Sequence, residues 1–133
     1  MTKEELRSYR QKKLEAEQLE QMIARLESEM YNPTSVKLDS MPRAASQRGS
    51  GPTERLALRH IELVDRYRDK LEELRADQLT IEKAIEVLEP TERMLIRYRY
   101  IEGLTWEVVA VRMCYSWRQM HRIHGKALKH LAE

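Results

Sequence analysis

The sequence predicts an all-α fold, and three observations carry that prediction. Apolar residues recur at heptad spacing over two long stretches. A Pro- and Gly-rich interruption separates those stretches. The C-terminal third carries helix caps at the spacing of a helix-turn-helix. These features divide the chain into an N-terminal long helix over 1–30, a loop over 31–52, a long coiled-coil helix over 53–88 and a three-helix domain over 89–133. With 133 residues, 35% of them charged and no Phe, the chain is poorly supplied for a large compact core. A thin apolar seam between helices is within its means.

The first helix opens on a capping box, Thr2-Lys3-Glu4-Glu5, in which the Thr hydroxyl and the Glu carboxylate each satisfy a backbone N–H. Tyr9, Ala16, Ile23 and Met30 form one seven-residue row. Leu19 and Leu26 form the adjacent row, whose earlier members Lys12 and Glu5 are polar. Three of the four prolines and two of the four glycines then fall in 31–52, which reads as a long loop. Val36, Leu38 and Met41 are candidates to dock on the helices. Lys37, Arg43, Arg48 and Arg55 read as solvated charge or as phosphate contacts.

In the second long helix Tyr67, Leu74, Ile81 and Leu88 make one row. Ala57, Val64, Leu71, Gln78 and Ile85 make the other, a sustained a/d pattern. Gln78 either fixes register or faces a wet part of the seam. Pro90 then suits the first position of a new helix, with Glu92 near its positive end. That helix is expected to turn Met94, Leu95, Tyr98 and Ile101 inward and to stop at Gly103.

The last two helices are framed by their caps. Thr105 is placed as N-cap, with Leu104 stapling to Val109, and Ser116 as the next N-cap, with Gln119 completing a capping box and Tyr115 stapling to Met120. Ala110, Cys114, Met120 and Ile123 have the small–turn–apolar–apolar spacing of a helix-turn-helix. Cys114 stands where a positive φ favours Gly, so strain is expected there. Val108, Val109 and Met113 are expected inside, as are Met120, Ile123, Ala127, Leu128 and Leu131 of the last helix.

That frame leaves Trp117, Arg118, Gln119, His121, Arg122 and Lys126 facing outward, with His124 and Lys129 toward the flanks. Arg bridges guanine O6 and N7, and Gln bridges adenine N6 and N7. Trp117, Arg118, Gln119, His121 and Arg122 are therefore the candidate base readers. Thr105, Trp106, Lys126, Arg93, Arg97 and Arg99 are the candidate phosphate contacts. Two readings stay open for Trp117, which either covers the helix crossing or touches DNA, and for Gln119, which either closes the cap or reads a base. The charge distribution agrees with this assignment. Residues 90–133 hold 8 basic and 4 acidic side chains, while 56–89 hold 6 and 9.

Other chemistries find little support. His121, His124 and Cys114 match no zinc spacing, so no metal is expected. The carboxylates alternate with Lys and Arg as solvated helix faces do, and no nucleophile–base set or phosphate-cradling Gly loop occurs. Neither an enzyme nor a cofactor is expected. The single cysteine excludes an internal disulfide, and no apolar run spans a bilayer. A soluble, intracellular protein, making no membrane contact, is the expectation.

Leu88–Leu131 resembles region 4 of bacterial sigma factors. LEPTERMLIRYRYIEGLTWEVVAVRM is similar to the leading and first helices of that module, and SWRQMHRIHGKALKHL to its recognition helix. The whole chain resembles a group of small phage and prophage proteins of Gram-positive bacteria, the sigma-like or ArpU-like transcriptional regulators. Their loop is similar to NPTSVKLDSMPR. Cys114 and Met120 depart from the usual Gly and β-branched residue. The resemblance implies transcription regulation, double-stranded DNA as partner and RNA polymerase as a second one. The heptads imply a homodimer or higher oligomer. Two alternatives are a DNA-binding assembly or packaging protein, similar to a small terminase subunit, and a protein-only adaptor to RNA polymerase.

Overall fold

The computed structural model describes residues 1–31 and 50–133. Among them run five helices and no strand: α1 (Lys3–Tyr31), α2 (Ser50–Ile85), α3 (Pro90–Ile96, prolonged by a π-type turn over Arg97–Ile101), α4 (Trp106–Met113) and α5 (Trp117–Ala132). The all-α expectation holds. Among these residues no helix is long and apolar enough to cross a membrane. The expected docking of Val36, Leu38 and Met41, and the charges Lys37, Arg43 and Arg48, lie outside the described residues; Arg55 is exposed. Gly51 and Pro52, expected in the loop, belong to the first turn of α2, where a missing backbone N–H costs no helical bond.

The chain forms two compact units. One comprises Ala16–Leu71. There Tyr67 donates its hydroxyl to Glu20 at 2.8 Å, and His60 Nε2 lies 2.9 Å from Glu27. A step of seven up α1 matches a step of seven down α2, which is antiparallel pairing within one chain. Ala16, Leu26 and Leu63 are the buried apolar residues among those described in this unit. The expected rows contain Ala16 and Leu26 but omit Leu63, which lies one turn toward the neighbouring row because a 3.6-residue helix drifts from a strict heptad.

The other unit comprises Met1–Glu15 and Glu72–Glu133. The Thr2 capping box forms as expected, with Thr2 N donating to Glu5 at 2.7 Å and Glu5 N to the Thr2 hydroxyl at 3.3 Å. Leu6 and Tyr9 of α1 are buried, as are Leu74, Ile81 and Ile85 of α2. Lys12, a polar member of its row, lies 2.7 Å from Glu73 and 3.0 Å from Asp77. Gln78 is exposed, on the wet side of the seam.

After α2, a turn closed by the Leu88 N–H on Ile85 O leads to Pro90. In α3 the buried residues are Glu92, Leu95 and Ile96, followed by Tyr100 and Ile101 in the π-type turn. Met94, expected inside, is 47% exposed, and Tyr98 is only half-buried. The buried face runs through Leu88, Glu92, Leu95 and Ile96. The widened turn, in which Glu102 N bonds Arg97 O at 2.8 Å, then brings Tyr100 inward in place of Tyr98. Gly103 takes φ +76, the helix stop expected of it.

Candidate nucleic-acid interface

The helix-turn-helix is fixed by its own backbone chemistry. Thr105 caps α4, its hydroxyl accepting from Val108 N at 3.4 Å. At the other end Cys114 takes φ 57 and ψ 37. Cys114 N then bonds Val111 O at 3.2 Å and Tyr115 N bonds Ala110 O at 3.1 Å. That pair of bonds is a Schellman stop with Cys in the position Gly usually fills. Ser116 caps α5 two residues later, accepting from Gln119 N at 3.2 Å, while Gln119 Oε1 accepts from Ser116 N at 3.1 Å. Val109, Met120, Ala127 and Leu131 are buried beneath this frame. Val108, expected inside, is 40% exposed, while Met113, Ile123 and Leu128 are half-buried.

The outward face of α5 carries basic residues, and the helix contains no acidic one. Arg118, Arg122, Lys126 and Lys129 are all exposed at spacings of four, four and three, which sets them in one stripe along the helix. None of the four has an ion-pair partner among the described residues. Gly125 lies in the same stripe, and a Cβ built there meets nothing within 4 Å. Gln119 stands at the start of this face, exposed, with its side-chain oxygen used by the cap.

A second group of the expected residues gathers around one ring. Trp106 is half-buried, with the Arg99 guanidinium 4.4 Å above its ring centre. His121 lies between Trp106, at 4.9 Å, and Trp117, at 4.6 Å. Trp117 remains 53% exposed, so it covers His121 and still presents a surface to solvent. Arg99 Nη1 donates to Leu104 O at 3.0 Å. Burial, and after it the charge of Arg10, holds the Arg99 guanidinium below the usual arginine range. Arg97 and Arg93 point elsewhere. Arg97 grips both oxygens of Glu82, its shortest contact 2.8 Å, and Arg93 Nη1 donates to Glu86 O at 3.4 Å.

His124 departs from expectation. The helical pattern places it on a flank, but it is 6% exposed, with Nε2 2.8 Å from the Tyr100 hydroxyl and its ring edge-on to Trp106 at 4.7 Å. The inward turn of Tyr100 gives a buried imidazole a polar partner, which is why a histidine is tolerated in this core.

The sequence pattern also conceals a contribution from α1. Lys3, Arg7 and Arg10 occupy successive turns of one face of that helix, and they line a cleft of about 340 Å³ together with Arg99, Trp106 and His121. Arg10 donates to Gly103 O at 3.3 Å and Lys13 to Glu102 O at 3.2 Å, so the start of α1 caps the carbonyl end of α3. The spacing of Lys3, Arg7 and Arg10 was the available signal.

Neither a curated protein nor a solved structure matches the chain. A family model described as protein of unknown function, DUF722, matches residues 6–133, and the chain belongs to that family.

Proposed function

We propose that the protein is a sequence-specific DNA-binding transcriptional regulator of phage or prophage type, with α5 entering the major groove. The observation that carries this reading is the exposed stripe of Arg118, Arg122, Lys126 and Lys129 on a helix without acidic residues, held by a doubly capped helix-turn-helix. Arg118 and Arg122, near the N-terminal end of α5, are the base readers; Lys126 and Lys129 meet phosphate. Thr105 and Trp117 flank the groove. Trp106, His121 and Gln119 serve chiefly to position α5. The protein acts in the bacterial cytoplasm as a homodimer or higher oligomer. Leu58 and Ile61, 60% and 56% exposed on α2, supply apolar surface for a second copy. RNA polymerase is the second partner of such a regulator.

Selection of bound duplexes from random and host-genome DNA tests the reading. A defined sequence should emerge. Arg118→Ala or Arg122→Ala should each weaken binding about 5- to 150-fold and relax one position of the site, the equivalent of about 1–3 kcal/mol. Lys129→Ala should weaken all sequences alike and lower the salt slope by about one. Undiminished affinity and preference in both arginine variants would refute the groove assignment.

A further inference from the structure

The cleft beside Trp106 collects positive charge that no described residue lining it balances. Lys3, Arg7, Arg10 and Arg99 line it, and among the described residues no carboxylate does. Two acidic groups act on these cations from outside the lining: Glu4 sits 3.7 Å from Arg7, both exposed on α1, and Glu107 acts on Arg99 from α4. Arg10 and Arg99 are steadied by backbone carbonyls, which orient a guanidinium without neutralising it. Each keeps its Nε buried with no hydrogen-bond partner among the described residues, and so does His121 Nε2. Buried nitrogens without partners are uncommon in a folded protein. Here all three belong to residues lining one cleft. The neighbouring His124 registers the same field, since after burial the charges of Lys3, His121, Arg99 and Arg7 depress its protonation.

We propose that this cleft is a binding site for a phosphoanion, held by the guanidinium groups of Arg7, Arg10 and Arg99 with Lys3 at its edge. Phosphate fits better than carboxylate for two reasons. Planar guanidinium forks match pairs of phosphate oxygens, and three arginines line this cleft. A phosphomonoester also brings nearly two negative charges against four cations, where a carboxylate brings one. The cleft, about 340 Å³ and open to solvent, has room for a phosphate carried on a larger molecule. That molecule is either a free phosphorylated compound or the backbone of a nucleic acid. The site stands on the cleft's own geometry and does not require α5 to read DNA.

Calorimetric titration of the full chain with inorganic phosphate and with pyrophosphate, against sodium chloride at equal ionic strength and pH, tests the proposal. Trp fluorescence and the imidazole NMR signals of His121 and His124 report occupancy. Saturable binding is expected, tighter for pyrophosphate. Arg10→Gln should weaken it at least tenfold. Because Arg10 also holds Gly103, Lys3→Gln supplies a variant with little bearing on folding, expected to weaken binding about threefold. Lys83→Gln, exposed on α2 and outside the cleft lining, should leave it unchanged. Absence of saturable binding by both probes overturns the site, as does equal affinity in the Arg10 and Lys3 variants. Repeating the titrations with duplex DNA present separates the sources. Competition between pyrophosphate and DNA identifies a backbone phosphate, and simultaneous binding identifies a free phosphorylated molecule. Phosphate binding without DNA binding would uphold this site and defeat the regulatory reading; DNA binding without phosphate binding would do the reverse.

Discussion

The Tyr100 hydroxyl lies 2.8 Å from Nε2 of His124, joining the π-type turn after α3 to the middle of α5 inside the core. His124 is pushed down to about 4, chiefly by burial and then by the surrounding Lys3, His121, Arg99 and Arg7 charges. Below its ordinary value of 6.5 the unfolded chain takes up a proton that the folded chain refuses. The imidazole's contribution to stability is therefore complete above pH 6.5 and lost as the pH falls toward 4. The loss is on the order of 3 kcal/mol. Urea unfolding of the wild type and His124→Gln across pH 4 to 7.5 checks this, the variant being expected to lose less stability over that window. Parallel curves would refute it.

Glu92 and His130 carry the opposite sign. Glu92 is 3% exposed, and its Oε1 accepts from Glu89 N at 3.3 Å while lying 3.0 Å from His130 Nδ1. The hydrogen bond and then the charge of Glu92 raise His130 above 6.5. Its contribution is thus fully present below pH 6.5 and disappears as the pH rises through the raised value. An NMR titration should place the His130 midpoint above 6.5 in the wild type and lower in Glu92→Gln. An unmoved midpoint would remove the pair from the account of how α3 is tied to α5.

Cys114 at φ 57 is the one described non-Gly residue in the left-handed region. Relief of that strain by Cys114→Gly is worth about 1–2 kcal/mol, offset by the roughly 0.5–1 kcal/mol of extra chain entropy that Gly loses on folding. A net gain of roughly 0.5–1 kcal/mol is expected in thermal or urea unfolding. Cys114→Val, β-branched and worse suited to this backbone, should lose about as much. A stabilising Val or a destabilising Gly would show that the side chain of Cys114 matters more than its φ.

The caps at Thr2, Thr105 and Ser116, the stop at Gly103 and the strain at Cys114 were legible because each depends on residues within one or two turns. The direction of α3's buried face was not. Leu95, Ile96, Tyr100 and Ile101 are apolar on more than one side of a regular helix, and only the π-type turn decides that Tyr100 goes in. That choice in turn brings His124 inside. The cleft was hidden for another reason. Lys3, Arg7 and Arg10 are about ninety residues from Arg99, and the same basic periodicity suits any solvated helix face. The exposed stripe of α5, by contrast, followed directly from where Ser116 starts the helix.

Gly125 puts that stripe to a sharper test than the loss of a charge. Gly inside a helix is less stable than Ala by about 0.5–1 kcal/mol, and a Cβ at residue 125 meets nothing within 4 Å. Its positive-φ freedom is not used, so no contact among the described residues demands Gly there. It lies on the outward face between Arg122 and Lys129, where a missing side chain allows a partner to approach the helix backbone closely. Gly125→Ala should therefore raise stability by about 0.5–1 kcal/mol. If α5 seats in the groove, the same change should weaken DNA binding about threefold to tenfold. The two effects have opposite signs, so misfolding cannot produce the second. Unfolding curves and equilibrium binding to the selected duplex, measured on one preparation, decide the matter. A variant both more stable and equally tight would show that this part of α5 stands clear of the DNA.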